Sequence, residues 1–182
     1  ELGREQTRAA APHLAGIGAR RILTSPLRRA RETAEALAEV LELPVVEVED
    51  LRELRESEGF GELSLEDQRL RRWSMWMTEH GDDPDHSYRG GETFNQVLGR
   101  VRSLQRRLLA EGDENVLAVS HGIFLRFLLM WSLLGEGFGP HLAERLWQLG
   151  TTNCGLSVFE HADPDPSDAW RCLTWMERLP PR

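Results

Sequence analysis

Two short stretches carry residue types that could bind an anion and act on it. In "TSPLRRARETA", Thr24 to Ala34, the cations Arg28, Arg29 and Arg31 crowd the first turns of a helical pattern. A helix start carries partial positive charge and unpaired N–H groups, so it favours anions and is strained by cations. An anion nearby would relieve that conflict. In "LAVSHGIFLRFLL", Leu117 to Leu129, Ser120, His121 and Gly122 interrupt an apolar run. His121 sits where a strand should hand over to a helix, and Gly122 would let a ligand approach the backbone. Arginine and histidine at one sheet edge suit a phosphate dianion. Each stretch alone has a plainer reading, as solvated arginines or as a satisfied, partly buried histidine at a helix start.

The elements that must position these groups are legible as periodicities. Leu27, Ala30, Ala34, Leu37, Ala38 and Leu41 fall at helical spacing, with Ser25 as N-cap and Pro26 as first residue. "RRILTS" before it reads as a strand ending at Ser25, and "PVVEV" after it as another. An opening helix closes near Gly16 and Gly18. The spacing predicts a helix from Leu65 to about His80, then a polar loop "HGDDPDHSYRGG". Phe94, Val97, Leu98, Val101, Leu104 and Leu108 mark a long amphipathic helix. "NVLAVS" is a buried strand, followed by helices over Gly122–Leu134 and Leu142–Leu149. "GLSVFEH" and "RCLTWMERL" read as closing strands around a Pro/Asp turn. Strands alternating with helices imply an α/β fold with a largely parallel sheet. Ligands bind such sheets at the carboxyl ends of strands, where both stretches lie.

Bulk properties narrow the class. The 182 residues fit one domain, and 40% hydrophobic content is ample for a core. A formal charge of −8 argues against a general nucleic-acid binder. The basic residues are 22 arginines and no lysine, so any anion site must use Arg, His and backbone N–H groups. Cys154 and Cys172 sit in no metal or disulfide spacing and read as reduced core residues of a cytoplasmic protein. No run approaches the roughly 20 apolar residues of a membrane span. "ELGREQTRAA" lacks signal-peptide features and opens inside a helical pattern.

These residues resemble the histidine phosphatase superfamily, the phosphoglycerate mutase-like family. "TSPLRRARETA" is similar to its S-x-L-x-R-A-x-x-T-A signature and "LAVSHGIFLRFLL" to its S-H-G motif. "RGGETF" resembles its G-G-E-S/T segment, "NCGLSV" its closing strand, and "ELGREQTRAA" the helix after its first motif. The resemblance covers essentially the whole chain. It implies a three-layer α/β/α sandwich with a largely parallel central sheet, as one domain over 1–182 with a polar lid at about 49–90. The family's nucleophile lies in an R-H-G motif that is absent here. The expectation is that this motif, with the first strand, precedes Glu1.

The implied activity is metal-independent phosphomonoester hydrolysis through a phosphohistidine, on a small phosphorylated metabolite. By the resemblance, Arg29 binds the phosphoryl oxygens and His121 is the second pocket histidine, donating to the phosphoryl group. Glu53, in the "LREL" context, is the implied general acid, with Glu56 and Glu58 as rivals. Gly122, Ser25 and Glu92 are the expected substrate-binding residues, and Glu92 could instead orient the pocket. No metal, cofactor or nucleic-acid or membrane partner is called for; a homodimer is compatible. Alternatives are a phosphoglycerate mutase, a phosphoprotein or phosphohistidine phosphatase, and a non-catalytic phosphate- or partner-binding member. His80, Asp82, Asp83, Asp85 and His86 lack the spacing of a metal loop, so a lid is preferred, with Tyr88 and Arg89 reaching substrate. Trp73 and Trp76 read as packing or a dimer surface.

Overall fold

The computed structural model describes residues 2–55, 82–87, 90–112, 115–161 and 170–179. Its centre is the apolar strand β1 (Ile22–Thr24), buried along its whole length. β1 pairs in parallel with β2 (Val45–Glu47) on one side and β3 (Leu117–Val119) on the other. Successive strand residues face opposite ways, and here they divide the core. Ile22 joins Ala11, Leu14, Ala34 and Leu37 from α1 (Leu2–Leu14) and α2 (Arg28–Leu41). Leu23 joins Val97, Val101, Leu104, Phe124 and Phe127 from α3 (Phe94–Glu111) and α4 (Gly122–Leu134). Helices therefore cover both faces of the sheet, the α/β/α sandwich expected.

The remaining strands, β4 (Leu156–His161) and β5 (Trp170–Glu177), form a separate antiparallel pair. Among the described residues β3 has no strand partner on the side away from β1. A cavity of about 640 Å³ is lined by Leu117, Ala118 and Val119 of β3 and by Leu156, Met176 and Leu179.

Local signals explain the boundaries. The Thr93 hydroxyl accepts from Gln96 N–H at 3.1 Å and the Gln96 amide accepts from Thr93 N–H at 3.1 Å, a reciprocal cap for α3. Phe94, Phe127 and Phe138 then lock α3 to α4, with ring centroids 5.0–5.5 Å apart.

Three expectations change. Helix α2 begins at Arg28 and not at Pro26, and Ser25 does not cap it. Ser25 N–H donates to Val119 O at 3.0 Å, which ties Ser25 to the end of β3 and away from the helix. The segment expected as a helix over Leu142–Leu149 is a 3₁₀ turn, Pro140–Gln148, entered through Gly139. Cys154 and Cys172 are half-buried, outside the core, and not bonded to each other. The helix expected over Leu65–His80, with Trp73 and Trp76, lies outside the described residues. No helix among the described residues is long and apolar enough to cross a membrane.

Candidate active site

Parallel pairing aligns the ends of β1 and β3, because Thr24 sits opposite Val119. The next residues of each strand, Ser25 and Ser120, therefore leave the sheet side by side, and the turns that follow bring Arg29 to His121. Arg29 Nε donates to His121 Nδ1 at 3.1 Å. An arginine nitrogen can only donate, so Nδ1 is the acceptor and the neutral ring carries its proton on Nε2. That Nε2 lies 2.8 Å from Ser25 Oγ. Ser25 Oγ also accepts from Leu27 N–H at 3.2 Å.

His121 is 7% exposed. Burial, and then the positive charges of Arg29, Arg100 and Arg52, push its imidazole down from 6.5 to about 4. The folded value lies below the unfolded one, so protonation favours the unfolded chain. This part of the stability is complete above pH 6.5 and is lost as pH falls from 6.5 towards 4. At one unit per 1.36 kcal/mol it amounts to at most about 3 kcal/mol. Melting temperatures between pH 7 and 4 should fall less steeply in His121→Asn than in the parent; parallel curves would remove His121 as the cause.

The third member comes from another part of the chain. Glu53 lies just beyond the 3₁₀ turn Glu49–Leu51. Its Oε1 accepts from Leu54 N–H at 3.0 Å and from Phe124 N–H at 3.2 Å, and its Oε2 from Ile123 N–H at 3.4 Å. Helix α4 has no side-chain cap of its own at His121. Glu53 supplies one from 71 residues away, placing a carboxylate on the positive end of the helix. Arg29, Glu53, His121 and Gly122 line the same 640 Å³ cavity, as do Thr151, Thr152 and Asn153. A Cβ on Gly122 would make ordinary contact with Thr151 Oγ1 at 3.4 Å, so the missing side chain keeps this part of the wall open.

Two expected substrate-binding residues lie elsewhere. Ser25 is 0% exposed and sits behind the His121 ring, where it fixes the ring's orientation. Glu92 is held away from the cavity by a bidentate pair with Arg100, at 2.7 and 2.9 Å, and by Arg55 N–H at 3.1 Å. Arg28 is 85% exposed at its side chain and pairs with Glu32, so it takes no part.

The polar lid expected over about 49–90 is described only at 49–55, 82–87 and 90. Its first part is wall, with Leu51 and Leu54 buried in the core at 1% and 5% exposure. Glu56, Glu58, Tyr88 and Arg89 lie outside the described residues. Asp83 accepts from Asp85 N–H in its own loop and Asp85 from Asn95 Nδ2 of α3, at 2.9 Å each. Among the described residues no group of three or more His, Cys, Asp or Glu side chains is placed to hold a metal ion. Arg100 carried no signal in the sequence; its contacts are 8 to 50 residues away.

The family described as "Histidine phosphatase superfamily (branch 1)" matches residues 1–176. The chain belongs to the histidine phosphatase superfamily. A bifunctional protein of Mycobacterium tuberculosis is 38% identical over 170 residues, covering 88% of this chain and 42% of that protein. The chain thus spans less than half the length of this mycobacterial relative. A protein of Yersinia enterocolitica named "Probable phosphoglycerate mutase" is 31% identical over 180 residues, covering 96% of this chain and 77% of its own length. Among solved structures, mycobacterial glucosyl-3-phosphoglycerate phosphatase superposes with a TM-score of 0.74 at 26% identity, covering 98% of this chain and 88% of that one. Proteins named for phosphatase and for mutase activity are therefore both among those similar to this chain.

Proposed function

We propose that this histidine phosphatase chain hydrolyses a small phosphomonoester, without a metal, through a phosphohistidine. The observation that carries the proposal is the meeting of Arg29, neutral His121 and Glu53 in one cavity at the carboxyl ends of β1 and β3. Phosphoryl transfer needs positioning and charge stabilisation more than covalent help from many groups. Arg29 supplies a fixed positive charge for the phosphoryl oxygens. His121 already lends a ring nitrogen to Arg29 and a ring N–H to Ser25, so an entering phosphoryl group would exchange with these partners.

The nucleophile in this reading is a histidine in an R-H-G segment ahead of Glu1. The cavity beside β3 supports that placement, because an extended segment there would pair with the edge of β3 that has no strand partner among the described residues. The nucleophilic ring nitrogen attacks phosphorus. The P–O bond to the leaving group breaks with its electron pair, and Glu53 donates a proton to that oxygen. Of the two Glu53 oxygens, Oε2 makes only the longer bond, at 3.4 Å, and has more room for a proton. Water then attacks the phosphohistidine and gives its proton to Glu53. The P–N bond breaks, phosphate leaves, and both groups are restored.

Hydrolysis of 4-nitrophenyl phosphate by the protein that includes the residues ahead of Glu1 should survive EDTA. A brief quench with labelled substrate should trap an acid-labile, base-stable phosphoenzyme. Loss of turnover in EDTA, or label released by base and held in acid, would overturn the mechanism. The resemblance to the Yersinia protein favours a second reading, mutase activity. Incubation with 3-phosphoglycerate and 2,3-bisphosphoglycerate separates the two: free phosphate supports the phosphatase, and 2-phosphoglycerate without phosphate release supports the mutase.

A further inference from the structure

We propose that Arg100 is a positioning residue for Glu53, holding the acid in line with the site without meeting substrate. The inference rests on Glu53 being the general acid. Glu53 lies on a stretch, residues 52–55, that is neither helix nor strand. Such a stretch has no ladder of its own to fix it, so its backbone must be held by other groups.

Arg100 does most of that holding. Its Nη1 donates to Asp50 O and to Arg52 O, at 2.8 Å each, on the N-terminal side of Glu53. Its Nε and Nη2 grip both oxygens of Glu92 at 2.7 and 2.9 Å. Glu92 in turn fixes the C-terminal side: its Oε2 accepts from Arg55 N–H at 3.1 Å and its own N–H donates to Arg55 O at 2.9 Å. The guanidinium carbon also stands 5.1 Å from the centre of the Phe124 ring. Phe124 is the residue whose N–H binds Glu53 Oε1. Arg100 therefore reaches one flank of the acid directly, the other through Glu92, and the residue that grips its carboxylate.

The pair is sheltered, with Arg100 and Glu92 side chains 16% and 11% exposed, so solvent screens it little. Neither residue lines the cavity. The task suits arginine alone among cations. Its planar fork can hold a carboxylate on one edge and carbonyls on the other, whereas a lysine ammonium is a point charge. Ser120 Oγ, donating to Leu51 O at 2.8 Å, is a further anchor from the β3 side.

The chemical consequence is selective. A displacement of about 1 Å is enough to degrade proton delivery. An alkoxide leaving group needs that proton, whereas a nitrophenolate leaves almost unaided. Loss of positioning should therefore penalise alkyl phosphates far more than aryl phosphates.

The experiment compares kcat on glycerol 2-phosphate and on 4-nitrophenyl phosphate for the full-length protein, Glu53→Gln and Arg100→Lys, with melting curves alongside. The double variant Glu92→Gln with Arg100→Met, which removes both buried charges together, replaces Arg100→Lys if that protein fails to fold. Glu53→Gln should lose about 10²-fold or more on the alkyl substrate and less than about tenfold on the aryl one. The Arg100 variant should show the same skew, at least about tenfold, with KM little changed. An Arg100 variant that loses both activities equally, or neither, while Glu53→Gln keeps its skew, overturns the positioning role and leaves the acid assignment standing. A Glu53→Gln variant without skew overturns the acid assignment and the positioning role with it.

Discussion

Replacing His121 with alanine should lower kcat for a phosphomonoester by about 10²–10³-fold, the scale of losing one preorganised donor from a charge-stabilising site. Two losses combine. The donor at the phosphoryl group disappears, and Arg29 Nε loses the ring nitrogen that now holds it at 3.1 Å. The effect should fall mainly on kcat, because both groups serve charge that develops in the transition state. Folding is a smaller concern, since Ser25 Oγ keeps its bond from Leu27 N–H. Steady-state kinetics with a melting curve would decide it. Turnover within a few-fold of the parent, in a folded variant, would remove His121 from the chemistry.

Replacing Arg29 with methionine should be nearly as costly in kcat/KM, by about 10²–10³-fold, and it has a second readout. The Arg29 charge is the second-largest cause of the low His121 value, after burial. Removing it should therefore raise the His121 pKa from about 4 towards, but not to, 6.5. Burial and the charges of Arg100 and Arg52 remain to hold it down. A histidine ring titration followed by NMR measures the direction. An unchanged titration would show that Arg29 and His121 are not coupled, and unchanged kinetics would remove Arg29 from the phosphate pocket.

Much of this protein is written locally. Helix α4 was readable to its boundaries, Gly122 to Leu134, because an apolar run broken only by Arg126 and Ser132 follows a glycine after a strand. The capped helix α3 and the strands β1 to β3 follow from spacing that repeats within one element. The pairing of Arg29 with His121 was also foreseeable, since each opens the helix that follows a strand and parallel strands bring their carboxyl ends to one edge. Local reading failed where a side chain's role depends on distant partners. Ser25 looks like a helix cap, but its neighbour in the sheet is Val119 and its hydroxyl faces His121, 96 residues on. Glu92 looks like a helix-start acid, but Arg100 claims both of its oxygens.

Residue types, periodicity and two motifs by themselves determined the alternation of strands and helices and singled out Arg29 and His121 as a candidate anion-binding pair. Tertiary structure alone decided which carboxylate caps α4, which groups fasten the Glu53 segment, and why His121 stays neutral. The reason is physical. Periodicity records which face of an element is buried, a property of neighbours in the chain. Desolvation of His121 and the grip of Arg100 on Asp50, 50 residues away, arise only when separate elements close on each other.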